Sequence, residues 1–175
     1  MKRMFVPFVV LVLHGMASPG WAGSHEQIVT GTGNLTTLVT ATVETLQPPC
    51  VQLVTRTGQA GFSGFITNTP GNSQFDSRAM VDACADPVQG TFRSEIRLEA
   101  ATVAGLTGDL VIEVHGVFDG NVTSPSGRRT RGHGTITGIS GELRGASGRF
   151  QFVGQATTSS AFNTYFTEIH LKRVP

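Results

Sequence analysis

The chain predicts an all-β fold, a single antiparallel barrel of about eight strands, and three observations carry that expectation. Thr, Val, Ile and Phe are frequent, Gly and Pro recur at short intervals, and no stretch keeps the apolar period of about 3.6 that a helix needs. Residues 91–100 and 109–118 alternate with the period of two that a half-buried strand requires. Residues 132–154, GHGTITGISGELRGASGRFQFVG, hold seven glycines in twenty-three positions, a density that suits sharply coiled backbone at barrel corners.

The chain opens with Lys2 and Arg3, then the apolar run Met4–Leu13, then small residues ending in Gly20-Trp21-Ala22. That order reads as a secretory signal peptide over residues 1–22. The apolar run has ten residues and contains Pro7, well short of the roughly 20 needed to span a bilayer, so no membrane span is expected. Residues 23–175 then form one domain, exported to a bacterial periplasm or secreted. Removing the export segment leaves 11 basic against 12 acidic residues, which gives no footprint for a nucleic-acid partner. Cys50 and Cys84 are the only cysteines, and in an oxidising compartment a disulfide is the favoured reading. Two separate buried thiols are the alternative.

Within the domain, residues 26–46 read as one or two strands broken near Gly31–Asn34, and 50–56 and 59–67 as two more. Residues 68–90 read as a long polar connection that closes one end of the barrel, with a short helix over Ser77–Ala85. In 91–100, Phe92, Ser94, Ile96, Leu98 and Ala100 share a face opposite Arg93, Glu95, Arg97 and Glu99. In 109–118, Leu110, Ile112, Val114, Gly116 and Phe118 oppose Val111, Glu113, His115 and Val117, and the two segments form a hairpin. The glycine stretch contributes a strand over GTITGIS, a turn at Ser140-Gly141-Glu142, a return through LRGAS and a strand from RFQFVG. The last strand sets Tyr165, Thr167, Ile169 and Leu171 against Phe166, Glu168, His170 and Lys172.

The glycines do not cradle a phosphate. A dinucleotide fingerprint needs Gly-x-Gly-x-x-Gly between strand and helix, and here Gly132 and Gly134 are followed by Gly138 with no helix after. The other phosphate motif needs lysine, and beyond the export segment lysine occurs only at 172. Ser140 and Ser147 miss the spacing of a nucleophile elbow. No cofactor is implied, neither nucleotide nor metal: His25, His115, His133 and His170 form no pair at ligand spacing, and the two cysteines lack neighbouring ligands.

The pattern Gly-x-Gly-x-Ile-Thr-Gly-Ile-x-Gly followed by Leu-x-Gly-Ala-x-Gly-x-Phe resembles the C-terminal half of the allene oxide cyclase-like barrel superfamily, which includes the similar dirigent proteins and small bacterial families. The resemblance covers about residues 110–172 and implies an eight-stranded antiparallel barrel with a partly apolar interior. A lipocalin-like barrel is the alternative. The usual Gly-x-Trp of that group is missing, since the only tryptophan is Trp21.

Two classes of function follow. The first is non-catalytic binding of a small apolar ligand, or of a partner, with Phe92, Phe118, Phe150, Phe152 and Phe162 available to line a pocket. The second is a cyclase or isomerase acting on an apolar substrate. Its best acid–base candidates are Glu113 and His115, which share a face near Glu95, Arg97 and Glu99. That site requires the charged face to point inward; an outward face of cross-strand ion pairs is the simpler reading. The run Arg128, Arg129, Arg131 reads as a solvated loop, with an anion or acidic partner as the alternative.

Overall fold

The computed structural model of the protein describes residues 26–47, 49–69, 71–85, 88–120 and 127–172. The expected export segment lies outside the described residues. Nine strands follow in order: β1 (Glu26–Gln47), β2 (Val51–Gly64), β3 (Ile66–Thr67), β4 (Ser73–Asp82), β5 (Gln89–Val103), β6 (Leu106–Asp119), β7 (Arg128–Gly138), β8 (Ser147–Ala156) and β9 (Ser160–Lys172). The described residues contain no α-helix.

Apart from the two-residue β3, which pairs with the end of β5, each strand pairs antiparallel with the next, and β9 returns to β1 from Glu26↔Lys172 to Leu38↔Ser160. The result is a ring-like sheet of eight strands. Closure of this kind satisfies both edges of almost every strand. At the strand ends pairing becomes one-sided: the far end of β1 runs beyond β9 and pairs through Gln47 with β2 alone, and β2 from Gln59 to Gly64 pairs with β1 alone.

The alternation in β5 and β6 sets inside from outside. Phe92, Ser94, Ile96 and Leu98 of β5, and Leu110, Ile112, Val114 and Phe118 of β6, face the interior. Arg93, Glu95, Arg97 and Glu99 face out, with Arg97 Nε 2.6 Å from Glu95 Oε1. Ala100 departs from the expected face. A bulge between Leu98 and Ala101 places it outside at φ 51°, and Ala101 takes the interior position. The Ala100 N–H donates to Asp109 Oδ1 at 2.9 Å, which holds the bulge.

Three expectations are corrected. Residues 68–90 are not a long connection with a helix over Ser77–Ala85: Ser73–Asp82 is β4, paired with β2 on one side and β5 on the other. Its interior positions are Ser73, Phe75, Ser77, Ala79 and Val81, too polar and too small for a clear apolar alternation. The segments 50–56 and 59–67 are not two separate strands: β2 runs unbroken through both as far as Gly64, whose φ of +96° favours glycine, and Ile66–Thr67 follows as the short β3. LRGAS is not a return strand. Gly141–Leu143 makes a single 3-10 turn, Leu143 is buried, and the loop closes on Gly138, whose N–H donates to Ala146 O at 2.8 Å and whose carbonyl accepts from Gly145 N–H at 2.9 Å. The alternative of a break in 26–46 is also settled, because β1 is continuous over 22 residues.

The glycines of 132–154 acquire a packing role. Across β5, β6, β7 and β8 the interior row reads Phe92, Gly116, Gly132, Phe152, and the neighbouring row pairs Gly134 with Phe150. A Cβ on Gly116 would meet the Phe92 ring, and one on Gly132 the Phe152 ring. The rings lean over the glycines and fill the space their missing side chains leave.

Ring contacts then run down the interior. Phe92 and Phe152 lie 6.0 Å apart, Phe152 and Phe150 6.1 Å, Phe150 and Tyr165 5.2 Å, and Tyr165 and Phe62 5.5 Å. One end of the ring is filled, where Ile66, Val103, Leu110, Ile136, Leu143 and Ile169 are almost wholly buried. It is the 3-10 turn and the β5–β6 hairpin that close this end. The turn that follows β4 lies at the opposite end, where Cys50 and Cys84 lie at disulfide-bonding distance with Cα atoms 5.4 Å apart. Ala83 N–H also donates to Cys50 O there, at 2.9 Å.

Candidate functional site

At the open end the interior is not filled. A cavity there offers about 100 Å³ to the centre of a water-sized sphere, and one water needs about 10–15 Å³ on that measure. It therefore admits several waters, or a short chain of apolar groups.

Seven of the eight ring strands supply apolar wall: Leu35 and Val39 from β1, Val54 from β2, Phe75, Ala79 and Val81 from β4, Phe92 and Ile96 from β5, Val114 and Phe118 from β6, Phe152 from β8 and Ala161 from β9. The remaining ring strand, β7, contributes Arg128 and Thr130 instead. Each residue sits at an interior position of its strand, so the site is a direct product of period-two alternation.

Most of the polar groups in the wall satisfy one another. Ser94 Oγ donates to Ser77 Oγ at 2.8 Å, and Thr130 Oγ1 donates to Asn163 Oδ1 at 2.7 Å. Two arginines differ. Arg56 from β2 and Arg128 from β7 point into the cavity, and the Nε of each is buried without a hydrogen-bond partner among the described residues. Arg56 Nη1 donates to Thr157 O at 3.3 Å. The Arg128 guanidinium carbon lies 4.7 Å from the centre of the Phe118 ring, a cation–π contact.

Burial lowers the pKa of both guanidiniums from the ordinary value. For Arg128 the neighbouring positive charge of Arg56 lowers it further, while Glu44 opposes the shift at both. Glu44 stands on the overhang of β1 opposite Val54, and its Oε2 accepts from Gln52 Nε2 at 2.8 Å. No carboxylate among the described residues forms an ion pair with either arginine.

The structure separates the sequence candidates by face. Phe92, Phe118 and Phe152 line the cavity. Phe150 is fully buried below it, against Tyr165 and Phe62, and Phe162 lies outside, 57% exposed. Glu113 and His115 project from the outer face of β6. There His115 stacks on His133 of β7 with ring centres 6.4 Å apart, beside Arg93, Arg131 and Gln151 in a shallow external groove. The sheet lies between this pair and the cavity. Arg128–Arg131 is not a loop but the start of β7, so alternate arginines part company: Arg128 turns inward, and Arg129 turns outward to Asp119, Nε to Oδ1 at 2.9 Å.

Arg56 was missed because nothing distinguishes it in CVQLVTR. Its only signal is its place two residues after Val54, on the face that becomes the interior. Among the described residues, no group of three His, Cys, Asp or Glu is placed to hold a metal ion, and no helix is long and apolar enough to cross a membrane.

No protein-family model, curated protein or solved structure matches this chain.

Proposed function

We propose that the ring is an allene oxide cyclase-like barrel exported from a bacterial cell, and that it binds a small molecule with an apolar body at its open end. The observation that carries this reading is the cavity, an unfilled apolar space above a fully packed floor. Ligand sites of this kind are concave, mostly apolar and furnished with a few fixed polar groups. The Gly-rich corner and the antiparallel eight-strand closure support the family assignment.

Binding is favoured over turnover by the chemistry of the wall. Its polar side chains are Ser, Thr, Asn and Arg, with no carboxylate, histidine or thiol among the described lining residues to move a proton. The cyclase or isomerase reading would rest on orientation and charge alone.

The test is uptake of a neutral fluorescent apolar probe, N-phenyl-1-naphthylamine, by the purified mature protein. The expected result is saturable one-to-one binding that Ala79→Phe, which fills the cavity, abolishes without unfolding the chain. Absence of saturable binding, or binding that Ala79→Phe leaves unchanged, would overturn the reading.

A further inference from the structure

We propose that the molecule held in this cavity is an amphiphilic monoanion, an apolar chain ending in a carboxylate, and that Arg56 and Arg128 hold its head. The inference rests on the binding function proposed above and names the class of ligand.

A guanidinium carries five N–H donors in a fixed fork. Arg56 spends one, on Thr157 O at 3.3 Å, and Arg128 lies over a phenyl ring, while both Nε atoms are buried without a partner. Both arginines are half-buried, and charge drawn partly away from water is ordinarily paired, because leaving it uncompensated there is costly. Here two like charges share one cavity, and no carboxylate of the described chain pairs with either. A ligand carboxylate supplies what is missing: acceptors for both Nε–H groups, a planar match to the guanidinium fork, and a negative charge between two positive ones.

The charge count points to a single negative charge. Arg56 and Arg128 contribute two positive charges, and Glu44 above them contributes one negative charge at longer range. One further negative charge balances these three described groups. The tail follows from the remaining wall. Ser77 and Ser94 bond to each other, as do Thr130 and Asn163, so apart from Thr37 the surface offered to a ligand below the arginines is mainly that of Leu35, Val54, Ala79, Phe92, Ile96 and Phe152.

The experiment is calorimetric titration of the mature protein with decanoate, decanol and decyl phosphate, which share a tail and differ in the head. Decanoate is expected to bind one-to-one and decanol at least about tenfold more weakly, the loss of one charge-assisted hydrogen-bonded contact. Arg56→Gln and Arg128→Gln are each expected to lose about tenfold or more toward decanoate and nothing toward decanol. Without ligand, both variants are expected to fold, one losing only the Arg56 hydrogen bond to Thr157 O and the other only the Arg128 contact with the Phe118 ring.

Decanol binding as tightly as decanoate, or decyl phosphate binding more tightly, overturns the carboxylate assignment and leaves apolar binding standing. A folded variant that binds decanoate as tightly as the parent removes its arginine from the site and overturns the assignment as well. If none of the three compounds binds, the binding function itself falls, and the inference with it.

Discussion

Tyr165 shows how one side chain closes the filled end. Its hydroxyl accepts from Ile66 N–H at 2.8 Å and donates toward Ile66 O at 3.2 Å and Ser63 O at 3.3 Å, with the ring wedged between Phe62 and Phe150. Burial raises its pKa above the ordinary 10.0, against a smaller opposing effect of the Ile66 hydrogen bond. Tyr165→Phe keeps the ring contacts and leaves the Ile66 N–H buried and unpaired. A loss of about 1–3 kcal/mol is expected, read as a shifted urea midpoint with an unchanged slope. An unshifted midpoint would show that the hydroxyl does not hold β3 to the core. The inward direction of Tyr165 was legible from its alternation with Thr167, Ile169 and Leu171. Its partner was not, because Ile66 stands 99 positions away.

The cross-strand row Phe92, Gly116, Gly132, Phe152 makes β6 and β7 intolerant of side chains at two interior points. Gly116→Val and Gly132→Val each force a branched group against a ring and against a backbone carbonyl of the neighbouring strand, Arg131 O and His115 O respectively, which cannot yield. Each is expected to cost about 1–3 kcal/mol by overpacking. His115→Ala and His133→Ala, one position away on the outer face, are expected to stay within about 0.5 kcal/mol. Thermal melts of the four variants check this; equal effects on both faces would contradict the assignment of inside and outside.

At this scale the sequence was readable where the two faces differ strongly. Arg93, Glu95, Arg97 and Glu99 mark one face of β5 unambiguously. It failed for β4, because Ser73, Ser77 and Ala79 face the interior there and make the period invisible. Two of these small side chains, Ser77 and Ala79, line the cavity and leave it open, so the feature that hid the strand also helps to create the site.

For the molecule as a whole, Cys50 and Cys84 join the turn after β1 to the turn after β4, at the open end and beside the cavity. Such a bridge closes a loop with a sequence separation of 34, and closure of this length stabilises by roughly 3–4 kcal/mol on the chain-entropy model. Thiol titration of the denatured, unreduced protein is expected to find no free thiol, and Cys50→Ala with Cys84→Ala to lower stability by about that amount. Two reactive thiols would remove the bridge and the support it lends to export into an oxidising compartment.

The amino-acid sequence by itself determined the all-β class, the faces of β5, β6 and β9, the cysteine pair and the failure of every phosphate and nucleophile motif. These follow from local chemistry, namely period-two alternation, glycine spacing and the small number of cysteines. Only the tertiary structure decided which residues meet. It turned Phe92, Phe118 and Phe152 toward one space, sent Glu113 and His115 to the opposite face, and brought Arg56 and Arg128 from strands far apart in the chain into a single cavity. The register of eight strands and their closure set those encounters, and long-range register depends on the packing of the whole ring rather than on any one segment.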